Sequence, residues 1–406
     1  MPDQPVRVYG YRWVVLAAFV FIAAMTQVLW ITFAPVTSAA ASFYHTSDLM
    51  IGLLSMSFMV VYILMFLPAA WAIDTWGFKA AVGIGAALTG VFGLARGIFA
   101  ANFTAVFICQ IGLAVGQPFV LGAITKLAAR WFPVRERATA SGLGTLALYL
   151  GPLAAMLLSP YLVLRVGIAR MLLIYGVASA VAAAAFLLAA REKPPTPAGA
   201  DERALMLDGL KSMLRRRGFL LLLIIFFVGL GMFNAVSTWI EDIIRPRGFT
   251  ISQAGSLGAV MLVGGILGAV IIPLLSDKTR RRKPFIILAV AGLIPGLIGM
   301  TFAAGYPLLL ASSFLFGFCL LSAGPIGFQY AAEITHPAPE GTSNTLLLVM
   351  GQISGILFIF GMDALKAPAT GAMPGALLAL AALTAGCIAL ATALPESPIR
   401  DGTLGR

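Results

Sequence analysis

Charge is what this chain has least of. Only 11% of its 406 residues are Asp, Glu, Lys or Arg, against roughly a quarter in soluble domains. With 60% of residues hydrophobic and a mean hydropathy of +0.97, a buried core of this length cannot absorb the excess, so lipid is expected to solvate most of the surface. Cysteine is also scarce. Cys109, Cys319 and Cys387 fall inside apolar stretches at unrelated depths, which argues against a disulfide or metal framework. All sixteen acidic residues lie at the edges of apolar runs or between them, with Glu241, Asp242, Glu333 and Asp363 nearest the interior. No paired carboxylates, metal ligands or nucleophile–base arrangement share a depth, so neither an enzyme nor a cofactor is expected. Polar stretches long enough for an extramembrane catalytic domain are missing too.

What is present is apolar length. A bilayer core takes about 20 residues per helix, and twelve such runs can be read, at 13–42, 50–71, 78–100, 102–127, 138–161, 166–190, 218–243, 251–275, 285–303, 306–333, 344–363 and 374–394. The first is too long for a cleaved leader. The thinnest division is Ala101-Asn102-Phe103. An even number of spans puts both termini on one side. All but six of the 27 basic residues (Arg96, Arg165, Arg170, Arg245, Arg247 and Lys366) fall on that side. The positive-inside rule makes it cytoplasmic, in a cell membrane. The net charge of +11 is then a matter of topology, and no nucleic-acid partner is implied. The expected partners are a small-molecule substrate and the lipid bilayer, with the chain a monomer.

The chain also repeats itself. Aligning Asp74 with Asp277 aligns Gly52 with Gly255, and Glu136-Arg137 falls near Glu340-Gly341. Residues 1–193 and 218–406 are therefore expected to form two similar six-helix bundles, joined by a cytoplasmic linker at 194–217. The linker is Pro-rich at first and then reads LMLDGLKSMLRRR, a candidate interfacial helix. Parallel repeats of this kind are one transporter architecture, with substrate near the midplane.

The loop Asp74-Thr75-Trp76-Gly77-Phe78-Lys79 and its degenerate copy Asp277-Lys278-Thr279-Arg280-Arg281-Arg282 resemble the Asp-Arg-x-Gly-Arg-Arg pattern of the major facilitator superfamily. Thr75 stands where the pattern has Arg, and Arg280 where it has Gly. The resemblance implies an all-α membrane protein of twelve transmembrane helices in two pseudo-symmetric six-helix bundles, working by alternating access. It also implies a cytoplasmic charge cluster acting as a gate, for which Asp74, Gly77, Lys79, Arg137, Asp277, Arg281 and Glu340 are the candidates. The Arg that the family typically carries early in span four is replaced by Ile108-Cys109-Gln110, which weakens a proton-coupled reading. Gly151-Pro152 matches an antiporter pattern but is more readily an ordinary helix kink. Trp30 in QVLWITFAPV, the run from Leu54 to Asp74, and Gln117 in GQPFVLGAITKLAARWF are most similar to the feline leukaemia virus subgroup C receptor-related branch. That branch implies choline- or ethanolamine-like solutes, with haem also proposed.

In the family fold, spans one, four, seven and ten line the pathway, flanked by two, five, eight and eleven. Their midplane positions hold Gln27, Trp30, Tyr62, Gln117, Tyr149, Phe233, Asn234 and Gln352. Polar groups at that depth are costly unless satisfied or facing water. Trp30, Gln117 and Gln352 are the favoured solute ligands; any single Tyr is more readily a packing residue. With no carboxylate, Lys or Arg expected near the midplane, an aromatic and amide cavity suits a neutral solute or a diffuse cation held by cation–π contact. A facilitative carrier for a small amine leads. A proton- or ion-linked exporter of hydrophobic compounds and a non-transporting receptor remain open.

Overall fold

The computed structural model describes residues 8–195, 210–335 and 340–396. Most of the expected linker lies outside them, as does the side chain of Glu340. The described residues are helical almost throughout. The first half holds α1 (Arg12–Ile31), α2 (Thr37–Tyr44), α3 (Asp48–Trp76), α4 (Phe78–Ile98), α5 (Phe103–Leu121), α6 (Ile124–Trp131) and α7 (Val134–Ala189). The second holds α8 (Leu210–Met213), α9 (Arg217–Thr238), α10 (Ile240–Ile244), α11 (Ile251–Thr279), α12 (Lys283–Phe302), α13 (Tyr306–Thr335), α14 (Glu340–Ala364) and α15 (Pro374–Thr392).

Eleven continuous stretches are long and apolar enough to cross a membrane. One of them, α7, is two helices: at Gly167 φ is 79° and ψ 168°, a backbone open to glycine and incompatible with helix. Counting that break, the described residues give the twelve spans expected. The caps follow from sequence. Ser47 accepts from the Met50 amide, Asn102 from Ala105, and Thr250 and Gln253 form a reciprocal capping box. Asn102 thus accounts for the thin division between spans three and four. The first span is longer than a straight helix. It runs through α1, a 3-10 turn at Ala34–Val36 and α2, because Pro35 has no amide to give the carbonyl of Ile31.

The chain divides into two compact units, Met1–Phe33 with Ala39–Leu205, and Ala34–Ser38 with Met206–Arg406. In the first unit α1 packs on α7, α3 on α5, and α4 on both α5 and α7. The second repeats the scheme internally, with α9 on α14, α11 on α13, and α12 on both α13 and α15. The repeat read from sequence is therefore a repeat of packing partners. Exteriors are apolar, with Leu64, Leu164, Leu188 and Leu274 among the exposed side chains. Trp71 and Trp76, 5.2 Å apart and exposed, stand at the end of α3, as interfacial aromatics do.

Gly151-Pro152 has a packing explanation. A Cβ at Gly151 would run into the Ala24 carbonyl and the Gln27 side chain, so the missing side chain is what lets α7 reach α1. Gly151→Val is expected to destabilise the protein by about 2 kcal/mol through overpacking, while Pro152→Ala changes little. Thermal unfolding of the detergent-solubilised variants measures both; equal behaviour would remove the close-packing account.

Candidate functional site

The turn between α3 and α4 is held by charges from elsewhere in the first unit. Lys126, buried on α6, donates to the Ile73 carbonyl at 2.8 Å and to the carbonyl and side chain of Asp74, both at 3.3 Å. Gly77 adopts φ 87°, and a Cβ there would strike the Glu192 carboxylate. Glu192 accepts from the amides of Phe78 (3.2 Å) and Lys79 (2.7 Å) and pairs with Arg130. It is a negative charge on the N-terminus of α4, where the helix dipole favours it. Of the gate residues expected here, Asp74 and Gly77 lie in this cluster. Lys79 contributes only its backbone amide, and its side chain is exposed. Arg137 donates to the Ala129 (3.0 Å) and Phe132 (3.3 Å) carbonyls at the end of α6. Lys126, Arg130 and Glu192 went unrecognised in the sequence because they are 50 to 120 residues from the turn they serve.

The second unit builds its version around Arg282. This buried guanidinium pairs with Asp277, bonds Glu333 at 3.0 Å and the Ser276 hydroxyl at 3.2 Å. Burial works against its charge, but the bonds from Asp277 and Glu333 outweigh it and its pKa is raised. Arg281, the residue expected to gate, is exposed. The register differs by one because Arg280 caps α11 in the left-handed conformation, φ 52° and ψ 37°.

Deeper in the first unit, Trp30 is locked to α3. Its Nε1 donates to the Ser55 carbonyl at 3.2 Å, and the Ser55 hydroxyl donates to the Trp30 carbonyl at 3.3 Å. Gln27, one turn earlier, is buried against Gly151. Gln117 is buried on α5, and Tyr62 and Tyr149 are partly exposed on α3 and α7. In the second unit, Asn234 donates to the Gly351 carbonyl at 3.1 Å, tying α9 to α14 beside Gln352. Phe233 and Gln352 are partly exposed. Asn234 thus serves the helix contact as well as its predicted depth.

Besides Lys126, the first unit buries a second cation, Arg96, counted above among the six basic residues on the non-cytoplasmic side. It lies in the last turn of α4 with 0% exposure, bonded to Gln110 Oε1 at 2.6 Å. Gln110 is in the very stretch where no basic group was found: the charge arrives from the neighbouring helix. The second unit likewise buries two carboxylates, Glu241 and Asp242, in α10. Asp242 bonds Arg245 (3.0 Å) and Lys366 (3.1 Å), while Glu241 accepts from the amide and hydroxyl of Ser38.

The model of the Major Facilitator Superfamily matches residues 8–359. The chain belongs to the major facilitator superfamily. It is 32% identical to solute carrier family 49 member A3 of Danio rerio over 89% of its own length and 80% of that protein's. To the choline/ethanolamine transporter FLVCR1 of Felis catus it is 30% identical, over 88% of its length and 68% of the relative's. The feline leukaemia virus receptor-related branch is therefore its place within the superfamily. A D-xylose–proton symporter shares the fold, with a TM-score of 0.74 at 15% identity, covering 96% of this chain and 99% of that one. A multi-pass membrane protein of this superfamily is a transporter, with a small-molecule substrate and a lipid environment.

The superfamily pattern also explains the strain at Arg280, which stands where the pattern has glycine and takes the left-handed backbone a glycine would. Arg280→Gly is expected to stabilise the protein by about 1 kcal/mol. Arg282→Met is expected to cost about 2 kcal/mol, chiefly from removing the charge-assisted bonds to Glu333 and Asp277, while Arg281→Met has no measurable effect. Melting temperatures of the three variants separate these outcomes; equal losses at 281 and 282 would overturn the assignment.

Proposed function

We propose that this transporter carries a small organic solute with a diffuse positive charge, choline-like in size, down its own gradient by alternating access. The observation that carries the reading is the anchoring of Trp30. With its N–H committed to Ser55, only the ring faces are left for recognition, and a quaternary ammonium has no N–H of its own to satisfy. Cation–π contact with a desolvated Trp contributes ~2 kcal/mol. The names of the FLVCR relatives point to the same class. Gln27 and Gln117 in the first unit, and Asn234, Phe233 and Gln352 in the second, are proposed as further ligands, with the amides meeting a hydroxyl. Tyr62 and Tyr149 complete the proposed lining.

The buried charge of Arg96 does not oppose this reading. Its 0% exposure keeps it from serving as countercharge to an anionic solute, and it faces the carbonyl end of α1, whose dipole offsets part of it. Asp74, with its cluster in the first unit, and Asp277, with its own in the second, are proposed to set the balance between the two access states. Both termini are proposed to be cytoplasmic, in a cell membrane.

Purified protein in liposomes is expected to take up radiolabelled choline, with uptake little changed by an imposed pH difference. Trp30→Ala should weaken binding of the quaternary amine on the order of thirtyfold. Trp30→Phe should lose less, because a smaller quadrupole and most of the apolar surface remain. Gln117→Ala should affect choline more than tetramethylammonium, which lacks the hydroxyl. Proton movement stoichiometric with choline would replace facilitated transport with an ion-linked mechanism. Equal losses at Trp30→Ala for choline and for a neutral analogue would remove the cation–π argument.

A further inference from the structure

Arg96 has no role in the function proposed so far, and its surroundings are unusual for a buried cation. A guanidinium held away from water is costly unless its donors are met. Carboxylates normally do this, yet none is among its recorded partners in the described residues. Nη1 donates to the Leu29 carbonyl at 3.1 Å and to Gln110 Oε1 at 2.6 Å; Nη2 donates to the Thr32 hydroxyl at 3.3 Å. The guanidinium lies 5.7 Å from the centre of the Phe33 ring, and Nε is buried with no partner. Gln110, itself fully buried, sends Nε2 to the same Leu29 carbonyl at 3.2 Å.

The common target is the carbonyl end of α1. The last four carbonyls of a helix have no regular intrahelical partner, and together they carry about half a negative charge. At this end Pro35 removes a further donor. Elsewhere in membrane transporters, unwound carbonyls and helix C-termini at such breaks coordinate the coupling ion. Here the place is filled by a side chain. The planar fork reaches three acceptors at once and lies beside an aromatic ring, a fixed geometry that a compact ammonium on a flexible stem does not reproduce.

Trp30 follows Leu29 directly, so whatever holds the Leu29 carbonyl also sets the angle from which the indole leaves α1. We propose that Arg96 is a positioning residue of the solute site. It is a tethered cation that, with Gln110, occupies the position of a coupling ion at the end of α1 and thereby fixes the Trp30 ring. This rests on the reading of Trp30 as a solute ligand. Its corollary is a carrier that needs no free ion to organise its site.

The test uses the full-length protein in liposomes with radiolabelled choline. Arg96→Ala is expected to raise KM about tenfold or more, the size of one lost bond to a charged group, with Vmax little changed. Millimolar guanidinium ion should restore the KM of Arg96→Ala and leave the wild type unaffected. The double variant Arg96→Ala/Trp30→Ala should be no worse than Trp30→Ala alone. An unchanged KM, absence of guanidinium rescue in a folded Arg96→Ala protein, or additive losses in the double variant would each overturn the proposal. If Arg96→Ala does not fold, Arg96→Lys keeps the charge without the fork and should show an intermediate KM; a wild-type KM in that variant would overturn the clamp. A Trp30→Ala protein with unchanged choline KM would instead sink the solute reading. The clamp would then be judged by Trp30 emission, taken as the difference between each protein and its Trp30→Phe counterpart. A spectral shift on replacing Arg96 supports the clamp, and identical spectra overturn it.

Discussion

A helix that crosses hydrocarbon has to satisfy every backbone amide and carbonyl from within the protein, and the polar side chains of this chain are arranged around that demand. Regular turns meet it in the middle of each span. The ends and breaks are where it fails, and there the buried and half-buried charges collect. Arg96 and Gln110 serve the end of α1, and Lys126 the end of α3. Glu192 serves the start of α4, Arg137 the end of α6, and Arg247 the Ala303 carbonyl at the end of α12. Residues proposed for the gate and for the solute region are thus first of all terminators of helices. Where the two duties meet, at Trp30 and at Asp74, an architectural requirement also sets the geometry available for function.

The two units meet the demand with different residues in equivalent places. After α3 the turn is made by glycine, and its carboxylate is met by Lys126 from α6. After α11 it is made by Arg280 in a strained backbone, and the carboxylate is met by Arg282 only five residues on. The first cluster is assembled from three separate segments of chain and the second largely from one turn plus Glu333. A double-stranded logic of this kind, long-range on one side and local on the other, makes the halves similar in packing without making them equal in stability.

The helices, their order and the repeat were legible because they depend on composition over some twenty residues, which local sequence reports directly. Span limits differ from the helix ends mainly where caps extend a helix, as at Ser47 and Trp76. The site was less legible. The place of Asp74, Gly77 and Asp277 at the turns was legible because a turn needs a glycine or a cap close in sequence. Lys126 and Glu192 could not be, since only the fold brings them to that turn. The burial of Arg96 was not legible, because a basic residue near the end of an apolar run has the same local signature whether it faces water or turns inward. The signal that distinguishes it is Gln110, a second polar residue at matching depth on the next helix. Arg281 was preferred to Arg282 because a left-handed residue at 280 shifts the register by a step that no periodicity reveals.

The bond network of Glu192 bears on how the protein is made. The N-terminus of α4 emerges from the ribosome more than a hundred residues before the carboxylate that caps it and that pairs with Arg130. Until residue 192 has been synthesised, the first turn of α4 lacks its carboxylate cap, and Tyr11 and Trp131 lack the carbonyls of Ala189 and Arg191 that they bond in the finished unit. The first half therefore completes these contacts only when its last few residues, up to Glu192, are in place. Any separately expressed N-terminal half needs those few polar residues as much as it needs its sixth helix.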